Sequence, residues 1–497
     1  MLTADKVLEI YQEIRAKKKS SIYTKPLSIN PLKGASGKRP NSISVEDAFF
    51  GDSGKGSVVA RFNELLNRKH GRLFSLRWNG GANAGHETTI NGKKIVTHQL
   101  PMGVVTQSAT ALITRGMVLH PEDLVFEIQQ IESNFGGKLP GNLIIDERTP
   151  LSLDTHRAYE AGLNERTTGG KGSTGRGISP GYASIYERIS VTAKDLMGED
   201  WEDILRQHYK LYEWKINQDK KDAAFVLISR SGAKGIEKHP LGTEDEFLDR
   251  LAQAREILRP HVSDKVFDLL QKTWNDDTIP VTLEGAQGAG IDPYHGVSPD
   301  VTASRPMSRN INDATYNVIL PEEIALRTAV MKTTYVSSVG TRVIPDVMTE
   351  KDKKQLQVGF DEFGRSTGRP RGILAVSIPI AQYLRRAAGY QYLVATHLDA
   401  AEEGRQIRVV THYTDKVTRK EVPYFPYQDA LDHLVPHAVE FEGWDGEAVK
   451  AAKKPKDLPL NARLYLAFLS RTIAPVAIAT TGPDIGDSIS WLPSGSL

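Results

Sequence analysis

The chain has no cysteine in its 497 residues. Disulfides, thiolate-bound zinc and a thiol nucleophile are therefore excluded. It also has no run of about 18 apolar residues, so no membrane-spanning helix is expected. The first residues lack the apolar core of a signal peptide, and Asp5, Glu9 and Glu13 argue against an acid-poor transit peptide. A cytoplasmic location is expected. No charge of one sign dominates: 63 Lys and Arg stand against 61 Asp and Glu, for a formal net charge of +2. That balance neither demands nor forbids nucleic acid; neither nucleic acid nor membrane is expected as a partner. Internal repeats are absent as well.

What is present suits a large globular core. Hydrophobic residues make up 39% and charged residues 25% of a chain long enough for about three average domains, or for one elaborated α/β domain. Residues 3–16 read as an amphipathic helix, with Val7, Ile10, Tyr11 and Ile14 on one face. Lys17-Lys18-Lys19 and a Pro/Ser/Gly/Lys-rich stretch follow, to about Asn41. The plain reading is a solvated linker; an oligomer or polyanion contact is the sharper one. Residues 1–41 are therefore expected as an N-terminal extension, and 42–497 as one catalytic domain.

From 42 to about 118, strand-like runs alternate with Gly-rich loops and one helix near 58–66, which points to a parallel α/β sheet. A strand ends at Ile144-Ile145. Residues 155–188 read as a long polar loop, 190–275 as largely helical, and 281–283 as a short buried strand. A second long loop, 359–372, carries Arg365, Arg369 and Arg371. Then come a helix over 373–385, a strand over 392–396, a hairpin or meander over 405–425 and a last strand over 474–479. The fold class expected is a large, mostly parallel central sheet flanked by helices, with helical and small β subregions. Polar, Gly-rich segments recur at the ends of its strands, where open α/β sheets bind ligands.

Two of these segments carry chemistry. Phe50-Gly51-Asp52-Ser53-Gly54-Lys55-Gly56-Ser57 lies between a strand-like and a helix-like run. Such a turn aims backbone N–H groups and a helix N-terminus at an anion. It is not a standard P-loop, because Gly56 rather than Ser or Thr follows Lys55 and no Gly precedes Gly51. Asp52 puts a carboxylate inside the cradle, suited to hold a metal or take a proton. In Asn79-Gly80-Gly81-Ala82-Asn83-Ala84-Gly85-His86, the histidine can return one.

Together these motifs resemble the adenylosuccinate synthetase family, from about Ala48 to Ile489. The resemblance implies a GTP-driven ligase that joins the amine of L-aspartate to C6 of IMP, works with Mg2+ and forms a homodimer. Asp52 falls on the family's catalytic base and magnesium ligand, and Gly54, Lys55 and Gly56 on its phosphate-binding loop. Asn83, Gly85 and His86 fall on the loop of the catalytic histidine, with the Gly85 carbonyl a magnesium ligand. Ser173 to Tyr182 resembles a segment that puts Thr174 on the nucleotide 5′-phosphate, and Arg188 has the spacing of an arginine reaching that phosphate across the dimer. Glu284-Gly285-Ala286-Gln287-Gly288 matches the family segment, with Gln287 on the purine and in a catalytic role. Thr302 keeps a spacing near the phosphate. Thr367, Arg369 and Arg371 fall in the aspartate loop; paired guanidinium forks suit a substrate with two carboxylates. Asp399, Thr480, Gly482 and Pro483 fall on guanine recognition.

Four positions depart from the pattern. Ser53 replaces an acidic residue, Glu87 a small hydroxyl residue and His397 a lysine, and Ala303 to Tyr316 lacks a Gly-rich stretch. His397 opens the donor to ATP or dATP. A phage branch of the family aminates dGMP and typically replaces the loop aspartate by a small residue; Asp52 favours IMP, with dGMP the alternative. A nucleotide-binding regulatory protein is the alternative outside catalysis.

Overall fold

The computed structural model describes every residue except 17–20, 35, 36, 91, 167–172, 219, 220, 361 and 364–369, with the side chains of 164–166 also outside it. Its centre is a ten-stranded sheet. From edge to edge the strands are Ser488–Ser490, Val476–Thr480, Tyr392–Thr396, Ile324–Lys332, Arg39–Asp47, Val281–Glu284, Leu73–Arg77, Ala109–Ile113, Asn142–Asp146 and Val262–Ser263. Every pairing is parallel except the last, antiparallel step from Val476–Thr480 to Ser488–Ser490. The central strand Val281–Glu284 is buried at all four positions, as a strand covered on both faces must be. The expected sheet class is therefore observed.

The parallel arrangement puts the C-terminal ends of the central strands on one side, and their loops form the site. Strand Arg39–Asp47 runs into Gly51–Gly54, and helix Lys55–His70 follows. That helix starts after Gly54, whose φ of 86° is left-handed, and no side chain caps it. It stops at Gly71 (φ 70°), after Arg68, Lys69 and His70 have placed basic side chains at the negative end of the helix dipole. Its start lies against the hairpin His86–Ile90/Lys93–Thr97. A Cβ on Gly56 would stand 2.7 Å from the Glu87 nitrogen and 2.8 Å from the His86 Cβ. This approach explains why the lysine is followed by glycine and not by a hydroxyl residue.

Several expectations about elements need correction. The polar stretch 155–188 is not one long loop: helices Asp154–Arg166 and Ile178–Glu187 occupy most of it. The first packs on helix Trp201–Asn217 despite its polarity, because its buried polar groups find partners. The described residues of the 190–275 region hold four α-helices but also a hairpin, Leu227–Gly232 with Gly235–Pro240. The helix expected over 373–385 is Ile378–Ala388, started by the Ser377 cap and Pro379, while 372–374 and 376–377 are short strands. The meander over 405–425 exists as Gln406–Asp415 paired with Glu421–Val422, and gains Leu434–Glu442 as a further partner.

The N-terminal helix is Ala4–Ala16, and Val7, Ile10 and Ile14 are buried in the main apolar core. Tyr11 sets its ring edge-on to Phe441 and Phe468. Arg471 pairs with Glu13 at 2.9 Å. No described helix is long and apolar enough to cross a membrane.

Candidate active site

A cavity of about 650 Å³ opens at the C-terminal end of the sheet. Among the expected site residues, Asp52, Gly54, Lys55, Gly56, Asn83, Gly85, His86, Thr174, Gln287, Arg371, Asp399, Thr480, Gly482 and Pro483 all line it. Seven separate stretches of chain therefore meet in one space. Thr367 and Arg369 lie outside the described residues. Thr302 and Arg188 do not line the cavity. Thr302 is joined to it through Ser304: the two hydroxyl oxygens are 3.3 Å apart, and Ser304 donates to Gln287 Oε1 at 2.6 Å. Arg188 is exposed at the end of helix Ile178–Glu187, with φ 62°.

The first loop is held from below. Asp47 Oδ1 accepts from the Phe49 and Gly51 nitrogens at 2.8 and 3.1 Å, and its Oδ2 lies 3.3 Å from Lys55 Nζ. Lys55 is thus tied to a buried carboxylate beneath the loop. Asp52 has φ 60°, a conformation that non-glycine residues adopt rarely and that recurs at functional sites. Its Oδ2 lies 2.5 Å from the Arg371 guanidinium and 3.3 Å from Lys332 Nζ. The same two cations pair with Glu362, which also accepts from Tyr335 at 2.7 Å and Ser337 at 2.8 Å. Burial pushes the Asp52 carboxyl up from its ordinary value, and the Glu362 charge adds to this; Lys332 and Arg371 oppose them. An upward shift suits a group that takes a proton near neutral pH.

His86 begins the hairpin opposite this cluster. Its Nδ1 is in direct contact with Glu284 Oε1, and Glu284 Oε2 accepts from the Met102 nitrogen at 2.7 Å. Burial holds His86 down to about 4, Arg77 and Lys55 act the same way, and Glu284 works against them. Gln287, with φ 61°, donates to Asn83 Oδ1 at 3.1 Å and accepts from Asn79 at 3.2 Å. Its amide is thereby oriented as a planar surface that matches a purine edge.

The far end of the cavity holds His397, Asp399, Thr480, Gly482 and Pro483. His397 has φ 56°, and its nitrogen donates to Thr480 Oγ1 at 3.2 Å. Its ring meets Tyr335 and Phe360 edge-to-face, at 6.5 and 6.4 Å between centroids. Burial, helped by the Lys332 charge, holds it down to about 3, so it is neutral at physiological pH. Burial raises the Asp399 carboxyl.

Lys332, Tyr335, Phe360 and Glu362 were not anticipated from sequence. Lys332 ends the strand Ile324–Lys332, so the rule that ligands gather at strand ends could have marked it. Glu362 carried no local signal. For a metal, Asp52 and the Gly85 carbonyl supply hard oxygen donors of the kind magnesium prefers. The only described cluster whose carboxylate and imidazole atoms are close enough to hold an ion by themselves is elsewhere: His120, Glu122 and Asp154. Arg230 already pairs with that aspartate at 2.6 Å, while neither oxygen of the Glu122 carboxylate has a hydrogen-bond partner.

Comparison with known proteins gives this site a family. The Adenylosuccinate synthetase model matches residues 45–489. An adenylosuccinate synthetase of Koribacter versatilis is 31% identical over 450 residues, covering 90% of this chain and 94% of that protein. One of Citrifermentans bemidjiense is 28% identical over 452 residues, covering 90% and 98%. Among solved structures, a fully ligated adenylosuccinate synthetase of Plasmodium falciparum superposes with a TM-score of 0.79 at 23% identity, covering 90% of this chain and 99% of that one. The succinoaminodeoxyadenylate synthetase of cyanophage S-2L, bound to dGMP and dATP, gives 0.54 at 16% identity, covering 91% and 96%. With a family model spanning nearly all of its sheet and every segment that lines its cavity, the chain belongs to the adenylosuccinate synthetase family.

Proposed function

We propose that this chain is a ligase that joins L-aspartate to C6 of IMP, driven by a nucleoside triphosphate, with GTP the first candidate. The observation that carries the reading is the meeting of Asp52, Lys55, His86, Gln287 and Arg371 around one cavity. A 6-oxopurine carbonyl is a poor electrophile because oxide leaves badly. In the proposed reaction Asp52 takes the proton from N1, and the O6 oxygen attacks the terminal phosphorus of the donor. The nucleoside diphosphate leaves. The aspartate amine then attacks C6, and inorganic phosphate departs with the former O6. Lys55 and the uncapped first turn of helix Lys55–His70 receive donor phosphates. His86 stabilises charge at O6 or on the transferring phosphoryl group. Gln287 and Asn83 hold the purine, and Thr174, Thr302 and Arg188 serve its 5′-phosphate.

Asp52 is engaged by Arg371 and Lys332. In this reading it exchanges them for substrate, and Arg371 is released toward an aspartate carboxylate, the substrate that Thr367 and Arg369 are also proposed to serve. Magnesium, held by Asp52 and the Gly85 carbonyl, would neutralise the donor phosphates. Asp399, Thr480, Gly482 and Pro483 surround the donor base. The neutral His397 ring admits ATP or dATP as alternative donors, because no lysine charge is placed over the base. Arg188 lies outside the cavity lining and Tyr186 beside it is 79% exposed, which supports a homodimer in which Arg188 serves the other subunit.

The test is phosphate release with aspartate and magnesium, comparing IMP with dGMP and GTP with ATP and dATP, and identifying the product by mass. Release that requires IMP supports the reading. Release with dGMP alone assigns the chain to the dGMP branch, and nucleotide binding without any release makes it a regulatory protein.

A further inference from the structure

We propose that Glu284 is a positioning residue that fixes the tautomer and ring orientation of His86 for turnover; this rests on the ligase reading. Glu284 ends the central strand Val281–Glu284, which pairs with strands on both sides. Its side chain is 0% exposed and that of His86 is 4% exposed. The carboxylate is completely used: one oxygen meets His86 Nδ1 and the other accepts from the Met102 nitrogen. A carboxylate oxygen facing Nδ1 requires the hydrogen to be on that nitrogen. Nε2 is then the ring atom left for chemistry in the cavity that His86 lines. It is the nitrogen left to face the reacting groups, while the carboxylate holds the ring from behind, as in the acid–histidine pair of a hydrolase triad.

The charged groups around this pair come from three elements. Glu284 is on the central strand, Arg77 ends the neighbouring strand, and Lys55 opens the helix. Across the hairpin, His86 faces Thr97, which carries no charge, and Glu87 pairs with Lys94 at 2.7 Å. Glu284 is thus the charged group that meets the ring itself, with Arg77 and Lys55 as the cations beside the pair.

The discriminating variants are Glu284→Gln, which keeps shape and loses charge, and Glu284→Asp, which keeps charge and loses length. Thermal unfolding of each full chain first shows that it folds. The Gln variant is expected to lose about 100-fold in kcat, with KM values changed less than about threefold, and the Asp variant to retain more activity than the Gln variant. Equal or better activity of the Gln variant would overturn the proposal, because packing alone would then explain the residue. Long-range 1H–15N correlation spectra of the folded chain, with His86 assigned by its loss in His86→Gln, read the tautomer of the ring without any turnover. The Nδ1–H form is expected in the native chain and a mixture with the Nε2–H form in the Gln variant. An Nε2–H ring in the native chain overturns the proposal even if the ligase reading stands. The Nδ1–H form in a protein that turns over no acceptor keeps the pairing and rejects the ligase reading.

Discussion

Two of the clusters of buried charge among the described residues differ in what their charges face. In the sealed cluster, Asp123 pairs with Arg157 at 2.7 Å and Arg176 at 2.9 Å and accepts from the Ser231 nitrogen at 2.9 Å. Asp154 beside it pairs with Arg230 and accepts from His120 Nε2 at 3.1 Å. Both aspartate side chains are under 5% exposed. In the open cluster, Asp52, Lys332, Glu362 and Arg371 line the cavity, and Asp52 is 27% exposed. The sealed charges tie helix Pro121–Asn134 to helix Asp154–Arg166, the hairpin at 227–240 and the segment that carries Thr174. The open charges can change partners when a ligand arrives. Similar residue types thus serve stability in one place and chemistry in the other, according to whether solvent and substrate reach them.

This contrast can be broken most severely at the open end. Asp52→Ala and His86→Ala are each expected to lower kcat by at least about 1000-fold while the folded protein still binds nucleotide. Steady-state turnover and equilibrium nucleotide binding check this, and near-normal rates in either variant would remove that residue from the mechanism.

At the sealed end the expected effect is on stability. Burial alone would raise the Asp123 carboxyl, but Arg157, His120 and Arg176 outweigh it and hold it well below the usual carboxylate range. Asp123→Asn removes the carboxylate that both buried guanidinium groups bond and should cost about 3–5 kcal/mol in denaturant unfolding. A loss below about 1 kcal/mol would show that the cluster is not holding these elements together.

Acid distinguishes the clusters further. Burial keeps His86 at about 4 and His208 and His397 at about 3, and holds His156 well below its ordinary value. Each binds its proton more readily when unfolded, so stability is full above about pH 6.5 and falls as pH drops toward 4. His86 alone accounts for roughly 3 kcal/mol of that fall. Denaturant unfolding across this range checks it, and a flat profile would mean that the rings are not buried as neutral groups. A nucleotide that fills the cavity should change the contributions of His86 and His397 and leave those of His156 and His208.

The smallest expected signal concerns Arg188. Mixing Arg188→Leu with Asp52→Ala subunits should restore activity to about a quarter of the wild-type sites, if half of the dimers are mixed and each has one intact site. No recovery in a proven mixed dimer would place Arg188 outside the site.

The sheet and first loops were legible in the sequence because their signals are local. A strand, a Gly-rich turn and a helix lie within about thirty residues at Ser42–His70, and the turn chemistry marks the end of the strand. Helix Asp154–Arg166 was hidden because its polar side chains are neutralised by partners distant in sequence, such as Asp123 for Arg157. The hairpin at 227–240 resembled a charged helix because its strands are only half-buried. At the site, Asp52, His86 and Gln287 stood out as side chains in Gly-rich loops. The partners that tune them did not: Glu284 meets His86 across 198 positions, and Lys332 meets Asp52 across 280. Glu284 was visible within its segment, but nothing local shows which ring it holds.

The most direct measurement uses IMP with a heavy oxygen isotope at C6, turned over with aspartate, magnesium and GTP. The label is expected in inorganic phosphate in an amount equal to the aspartate adduct formed. Adduct formation with unlabelled phosphate would contradict it, since the C6 oxygen would then have left by a route other than phosphorylation.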